Sequence, residues 1–147
     1  VRRGLEKVVK NTRLRGRLET FGGPRGYILD VAHNSAGSLI LVNALRGRGQ
    51  DSLPVVFGVM KDKDFPGMVE ELASISSSII AVAPAVKRAL NARTLHRYIR
   101  GQGIPVCYGG TVVAGLKAAK RLGRPVLITG SHYVVGEALK YLTRKRA

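Results

Sequence analysis

From residue 27 onward, short continuous apolar runs alternate with segments whose apolar residues recur at helical spacing. The runs are YILDVA at 27–32, LPVVFGVM at 53–60, SIIAVA at 78–83, IPVCY at 104–108 and PVLIT at 125–129. Continuous rather than alternating hydrophobicity is the mark of strands covered on both faces in a parallel sheet. Their starts fall roughly 20–25 residues apart, the length of a strand plus a crossover helix. Between them, Val134, Val135, Ala138, Leu139 and Leu142 form an apolar helical stripe, as do Leu95, Tyr98 and Ile99 before Gly101 and Gly103. Val112, Val113, Leu116 and Ala119 form another, with Thr111 the expected N-cap and Gly123 the expected stop. Leu39, Val42 and Leu45, then Met68, Val69 and Leu72, complete the set. The pattern predicts an α/β fold: a Rossmann-like, open, mostly parallel sheet with helices on both faces. Residues 13–20, RLRGRLET, precede a Gly22-Gly23-Pro24 turn and read as one antiparallel edge strand pairing with 27–32.

Length and composition narrow this picture. With 147 residues the chain can bury roughly 70% of the surface its unfolded form exposes, enough for one core. No apolar run approaches the length that crosses a membrane. Val1 opens the chain with no charged-then-apolar leader, so a cytoplasmic protein is expected, and a segment cut from something longer. One cysteine excludes an internal disulfide, and three scattered histidines argue against a zinc cluster. The net charge of +16 raises nucleic acid as a partner. Against it stand the spread of the basic residues along the chain, the absence of a binding motif and an aromatic content of only 5%. Acidic small-molecule substrates account for the charge as well.

In an open parallel sheet, ligands lie beyond the carboxyl ends of the strands. Asp30 to Asn34 end the first parallel run, Lys61 to Asp64 the second, and Thr129 to His132 the last. A carboxylate at Asp30, inside an apolar run, needs partners: ligand hydroxyls, a metal, an arginine or backbone amides. Spacing alone leaves ligand contact and amide contact equally open. Asn34 or Ser35 can cap a helix starting near Ala36, and Ser131 can cap the last helix or hold an anion at its N-terminus. His132 reads as a surface or packing residue. Asp62 and Asp64 could bind magnesium, although a charged loop is favoured, and Cys107 reads as buried and inert. There is no G-x-x-x-x-G-K-[ST] loop and no G-x-G-x-x-G, so a complete nucleotide enzyme is hard to assemble from this chain alone.

GRLE at 16–19, LDVAHN at 29–34, VFGVMKDKD at 56–64, KRALNARTL at 87–95 and TGSHYVVGEAL at 129–139 occur in that order. Together with the 13-residue interval from Arg17 to Asp30, they resemble the C-terminal domain of folylpolyglutamate synthase/dihydrofolate synthase, in the Mur ligase superfamily. The resemblance covers about Gly16 to Leu139. It implies that residues 1–147 form a Mur ligase-type C-terminal domain that closes over ATP and holds glutamate, while a P-loop N-terminal domain, absent from this chain, carries the magnesium sites. The implied reaction is ATP-dependent addition of L-glutamate to dihydropteroate or a folate through an acyl phosphate, with the isolated domain inactive.

The resemblance further implies that Arg17 contacts nucleotide phosphates and that Asp30, His33 and Asn34 belong to the ATP site. His33 would stand near the reacting phosphate as the catalytic residue. Ser131 and Tyr133 would belong to the glutamate site. ATP and Mg2+ are the implied cofactors, with magnesium held mainly by the N-terminal domain, and a monomer is expected. Val31 stands where glycine is usual after the aspartate, Ser35 where proline is usual, and His132 where leucine is more common. The competing readings are the corresponding domain of a peptidoglycan-precursor Mur ligase and, from another class, a basic nucleic-acid-binding module.

Overall fold

Residues 17–146 are described by a computed structural model, in which a six-stranded sheet is flanked by five helices. In chain order the elements are β1 (Glu19–Phe21), β2 (Tyr27–Leu29), α1 (Ser35–Gly47), β3 (Leu53–Phe57) and α2 (Phe65–Ala73). β4 (Ser76–Ala83), α3 (Ala92–Gly101), β5 (Val106–Thr111), α4 (Val112–Leu122), β6 (Val126–Thr129) and α5 (His132–Arg146) follow. The strand order is β1-β2-β6-β3-β4-β5. Only β1 runs antiparallel, pairing Glu19 with Leu29 and Phe21 with Tyr27. The mostly parallel architecture expected from the apolar runs is the one observed.

Alternation within the strands divides the core into two layers. Val55 and Phe57 face one side, with Ile28, Ile79, Ala81 and Leu127, where Leu41, Val42 and Leu45 of α1, Met68 and Leu72 of α2, and Leu95 and Ile99 of α3 cover them. Val56 faces the other side with Leu29, Ile80, Val82 and Ile128, under Val112, Leu116 and Ala119 of α4 and Val134, Val135 and Ala138 of α5. A strand coated by helices on both faces has no polar face to show, which is why its sequence reads as an unbroken run.

Local chemistry sets the helix ends. Asn34 Oδ1 accepts from the Gly37 amide at 2.7 Å, Asn91 Oδ1 from Arg93 at 2.8 Å, and Thr111 Oγ1 from Ala114 at 3.1 Å. Each cap satisfies one of the amides a helix start leaves without an internal partner. Gly123 ends α4 with φ 149°, a value that suits glycine.

The strands differ from the apolar runs at their ends. β2 ends at Leu29, although the Asp30 amide still donates to the Ile128 carbonyl of β6 at 3.0 Å while the Asp30 carboxylate turns to the amides of Leu18 and Ala32. β1 is three residues long, and residues 13–16 of the expected edge strand lie outside the described residues. β5 begins two residues later than IPVCY and continues through Gly109 and Gly110 to the cap Thr111. As the far edge strand it is covered less completely, so Cys107 is half-buried rather than fully buried, and its sulfur lies 3.8 Å from Ser78 Oγ. No helix among the described residues is long and apolar enough to cross a membrane.

Candidate functional site

Pairing of β2 with β6 brings the Asp30 turn beside the Thr129-Gly130-Ser131 turn, and antiparallel β1 starts at the same edge. Arg17, Asp30, His33, Asn34, Ser131 and Tyr133 therefore occupy one rim, beyond the carboxyl ends of β2 and β6.

Asp30 is the pivot of this rim. Its side chain is only 7% exposed, its Oδ1 accepts from the Ala32 amide at 2.8 Å and its Oδ2 from the Leu18 amide at 3.1 Å. One carboxylate thus ties the segment leading into β1, which carries Arg17, to the loop that carries His33. Burial raises the Asp30 pKa above the ordinary carboxylate value, an effect opposed by the amides of Ala32 and Leu18 and by the positive charge of Arg17. The amide contact that the spacing left open is present. Leu18 pays for this tether with a positive φ of 54°, unusual for a branched aliphatic residue.

His33 is exposed, and its Nδ1 lies 3.1 Å from the Val31 carbonyl. A carbonyl can only accept, so Nδ1 carries the hydrogen in that bond and the neutral ring keeps Nε2 as an acceptor. Asn34 spends its side-chain oxygen on the Gly37 cap. Ser35, where the related pattern has proline, donates its hydroxyl to Asp64 Oδ2 at 2.8 Å and so joins the start of α1 to that of α2.

Ser131 is 3% exposed and its Oγ accepts from the Val134 amide at 3.0 Å, so its hydroxyl serves as the cap of α5. Tyr133, by contrast, is 47% exposed. The intervening Gly130 has φ 117°, and a Cβ there would collide with the Gly58 carbonyl and approach the Phe57 ring to 2.9 Å. Only glycine lets the turn pass this closely over β3. Two features escaped sequence reasoning. The ring of His132 lies 5.5 Å from that of His33, and the buried Thr129 Oγ1 has no hydrogen-bond partner among the described residues. The first had a signal in hindsight, since His132 directly follows a turn at a strand's carboxyl end.

Lys61 to Asp64 form a charged loop and cap. Arg88 reaches Asp62 at 3.5 Å with both side chains exposed. Asp64 Oδ1 accepts from the Gly67 amide at 3.2 Å, and hydrogen bonds from Ser35 and Gly67 lower its pKa. Among the described residues no group of three or more His, Cys, Asp or Glu side chains could hold a metal ion. A hollow lined by Thr20, Gly23, Pro24, Arg48 and Gln50 sits at the opposite end of β1 and β2, away from the rim.

Comparison with known proteins gives this edge a context. The family described as "Mur ligase, glutamate ligase domain" matches residues 16–132. A Haloferax volcanii protein named "probable bifunctional folylpolyglutamate synthase/dihydropteroate synthase" is 34% identical over 95% of this chain, which spans 17% of that relative's length. Mycobacterium tuberculosis folylpolyglutamate synthase, solved with ADP and AMPPCP, is 26% identical with a TM-score of 0.79 over 86% of this chain. A bifunctional folylpolyglutamate synthase/dihydrofolate synthase solved with Mn, AMPPNP and L-glutamate is 25% identical with a TM-score of 0.75 over 88% of it. The chain covers 32% of each of those two structures.

Proposed function

This chain belongs to the Mur ligase family as a glutamate ligase domain, and we propose that it is one wall of a two-domain active site. The reaction is ATP-dependent addition of glutamate to dihydropteroate or a folate. The full residue range 1–147 acts as the C-terminal domain, and a P-loop domain supplies the opposing wall and the magnesium ligands. The observation that carries this reading is the shared rim, where one buried carboxylate joins the segment bearing Arg17 to the loop bearing His33. The nucleotides and L-glutamate bound in the related structures support the choice of substrates. A cytoplasmic location suits ATP, glutamate and folates, and a monomer suffices because both walls belong to one polypeptide.

The chemistry follows in two steps. A substrate carboxylate oxygen attacks the γ-phosphorus of ATP, the bond to the β-phosphate oxygen breaks, and ADP leaves an acyl phosphate. The glutamate amine then attacks the acyl carbon, inorganic phosphate departs and the nitrogen gives up a proton as the amide forms. Magnesium, held by the partner domain, would neutralise phosphate charge. Arg17, exposed at the rim, offers its planar fork of donors to phosphate oxygens as charge shifts between them. His33 presents Nε2 toward the reacting groups, as an acceptor for the amine proton when neutral. Asp30 holds both from beneath, and its remaining lone pairs are what a ribose hydroxyl would meet. Asn34 serves the same site through the helix start it caps. On the glutamate side, Ser131 acts by shaping its turn, and Tyr133 supplies the exposed hydroxyl.

Glutamate addition tests this directly. The 147 residues alone show no turnover, whereas joined to a P-loop domain they do. In the joined protein Arg17→Ala lowers kcat/KM for ATP by about ten- to a hundred-fold, the scale of one lost hydrogen bond to a charged group. Unchanged kinetics would remove Arg17 from the site.

A further inference from the structure

One ring contact at the rim has no part in the reaction just described. His132 opens α5 immediately after the Ser131 turn, half-buried, with its imidazole centroid 5.5 Å from that of His33 and the planes tilted by 40°. That separation and tilt lie in the range in which aromatic rings attract beyond their buried area. Among the described residues, His33 is held to the backbone by its Nδ1 bond to Val31, two residues back, on an exposed side chain where water competes for the same donor. A single bond of that kind fixes which nitrogen carries the hydrogen but leaves the ring free to swing about it. A second ring against its face restricts that swing.

We propose that His132 is a positioning residue for His33. Its ring holds the His33 imidazole in the orientation that keeps Nδ1 on Val31 and turns Nε2 toward the substrates. The proposal rests on the reading of this rim as a ligase half-site for its consequence in the reaction, but the ring contact stands apart from that reading. It also gives the departure at position 132 a physical meaning. An aliphatic residue there would fill the space without offering a flat face.

The contact is tested on the 147-residue chain with 15N-labelled histidine, whose ring nitrogens report in NMR which of them is protonated. The wild-type chain should show His33 mainly protonated at Nδ1. In His132→Ala that preference should fall at least about two-fold as the ring swings into water, and His132→Phe, which restores a flat ring, should retain it. His132→Leu keeps the bulk without the ring and guards against loss of fold, with circular dichroism and Tm as the check. An unchanged His33 nitrogen spectrum in folded His132→Ala or His132→Leu overturns the proposal.

Glutamate addition by the protein joined to its P-loop domain supplies the second readout. His132→Ala should lower kcat about ten-fold, the scale of a misplaced reacting group, with the ATP KM within about two-fold, and His132→Phe should recover most of it. A disturbed spectrum with unchanged turnover overturns the assignment of His132 to the reaction. His33→Ala that leaves turnover untouched overturns the ligase role of the rim instead, so the two failures are told apart.

Discussion

Asp30 shows how much one buried carboxylate can decide. Its two oxygens accept the amides of Leu18 and Ala32, and an asparagine can supply only one acceptor there. Asp30→Asn sets an NH2 group against an amide, at a cost of about 1–3 kcal/mol near neutral pH, measurable by urea denaturation. Because burial raises the folded-state pKa, the folded chain holds the proton more tightly than the unfolded one. The stability this group contributes is therefore fully present below the unfolded value and declines as pH rises through the folded value. The gap between wild type and Asp30→Asn should accordingly be widest in acid, narrow as pH climbs past the carboxylate range, and then stay level. A gap that widens with pH would reverse the sign of the shift. Spacing could mark Asp30 as a polar group that needs partners, but not name them. Leu18 is brought to it by the β1–β2 pairing, a contact that local pattern does not encode.

The turn between β6 and α5 makes a similar argument one level up. Gly130 passes over β3 with φ 117° and no room for a Cβ between the Gly58 carbonyl and the Phe57 ring. Gly130→Ala should cost about 3 kcal/mol or more, combining backbone strain with overpacking, and appear as a lower urea midpoint at an unchanged m-value. Gly136, inside α5 with nothing within 4 Å of its added Cβ, is the control. Gly136→Ala should be neutral or stabilise by about 0.5–1 kcal/mol, because helical alanine loses less backbone freedom than glycine. Helix stripes and caps such as Thr111 and Asn34 were legible because period 3.6 and a capping side chain are local properties. The ends of β2, β3 and β5 were less so. Where a strand stops depends on what its neighbours offer, as when the Asp30 carboxylate turns to the amides of Leu18 and Ala32 or Gly109 and Gly110 extend an edge.

Across the molecule, charge is the unbalanced quantity. A chain of net charge +16 repels itself, and the Arg88–Asp62 pair, exposed on both sides, returns less than about 1 kcal/mol. Raising NaCl from about 20 to about 300 mM should therefore raise Tm by a few degrees, since the Debye length shortens from beyond the spacing of surface charges to below it. A falling Tm over that range would mean that attractive pairs, not repulsion, dominate the surface. The same excess suits a site whose ATP, glutamate and folate ligands are all anionic.

By itself the sequence determined the fold class, the helix starts and the set of polar residues worth inspecting, because burial on both faces and amide capping leave their pattern within a few neighbouring positions. Tertiary structure alone decided which of those residues meet. The strand order seats β6 between β2 and β3, and so brings His132 to His33 and the Gly130 turn beside Asp30. Strand order follows from how the crossovers pack whole layers, and a contact between residues so distant in the chain has no local periodicity to announce it.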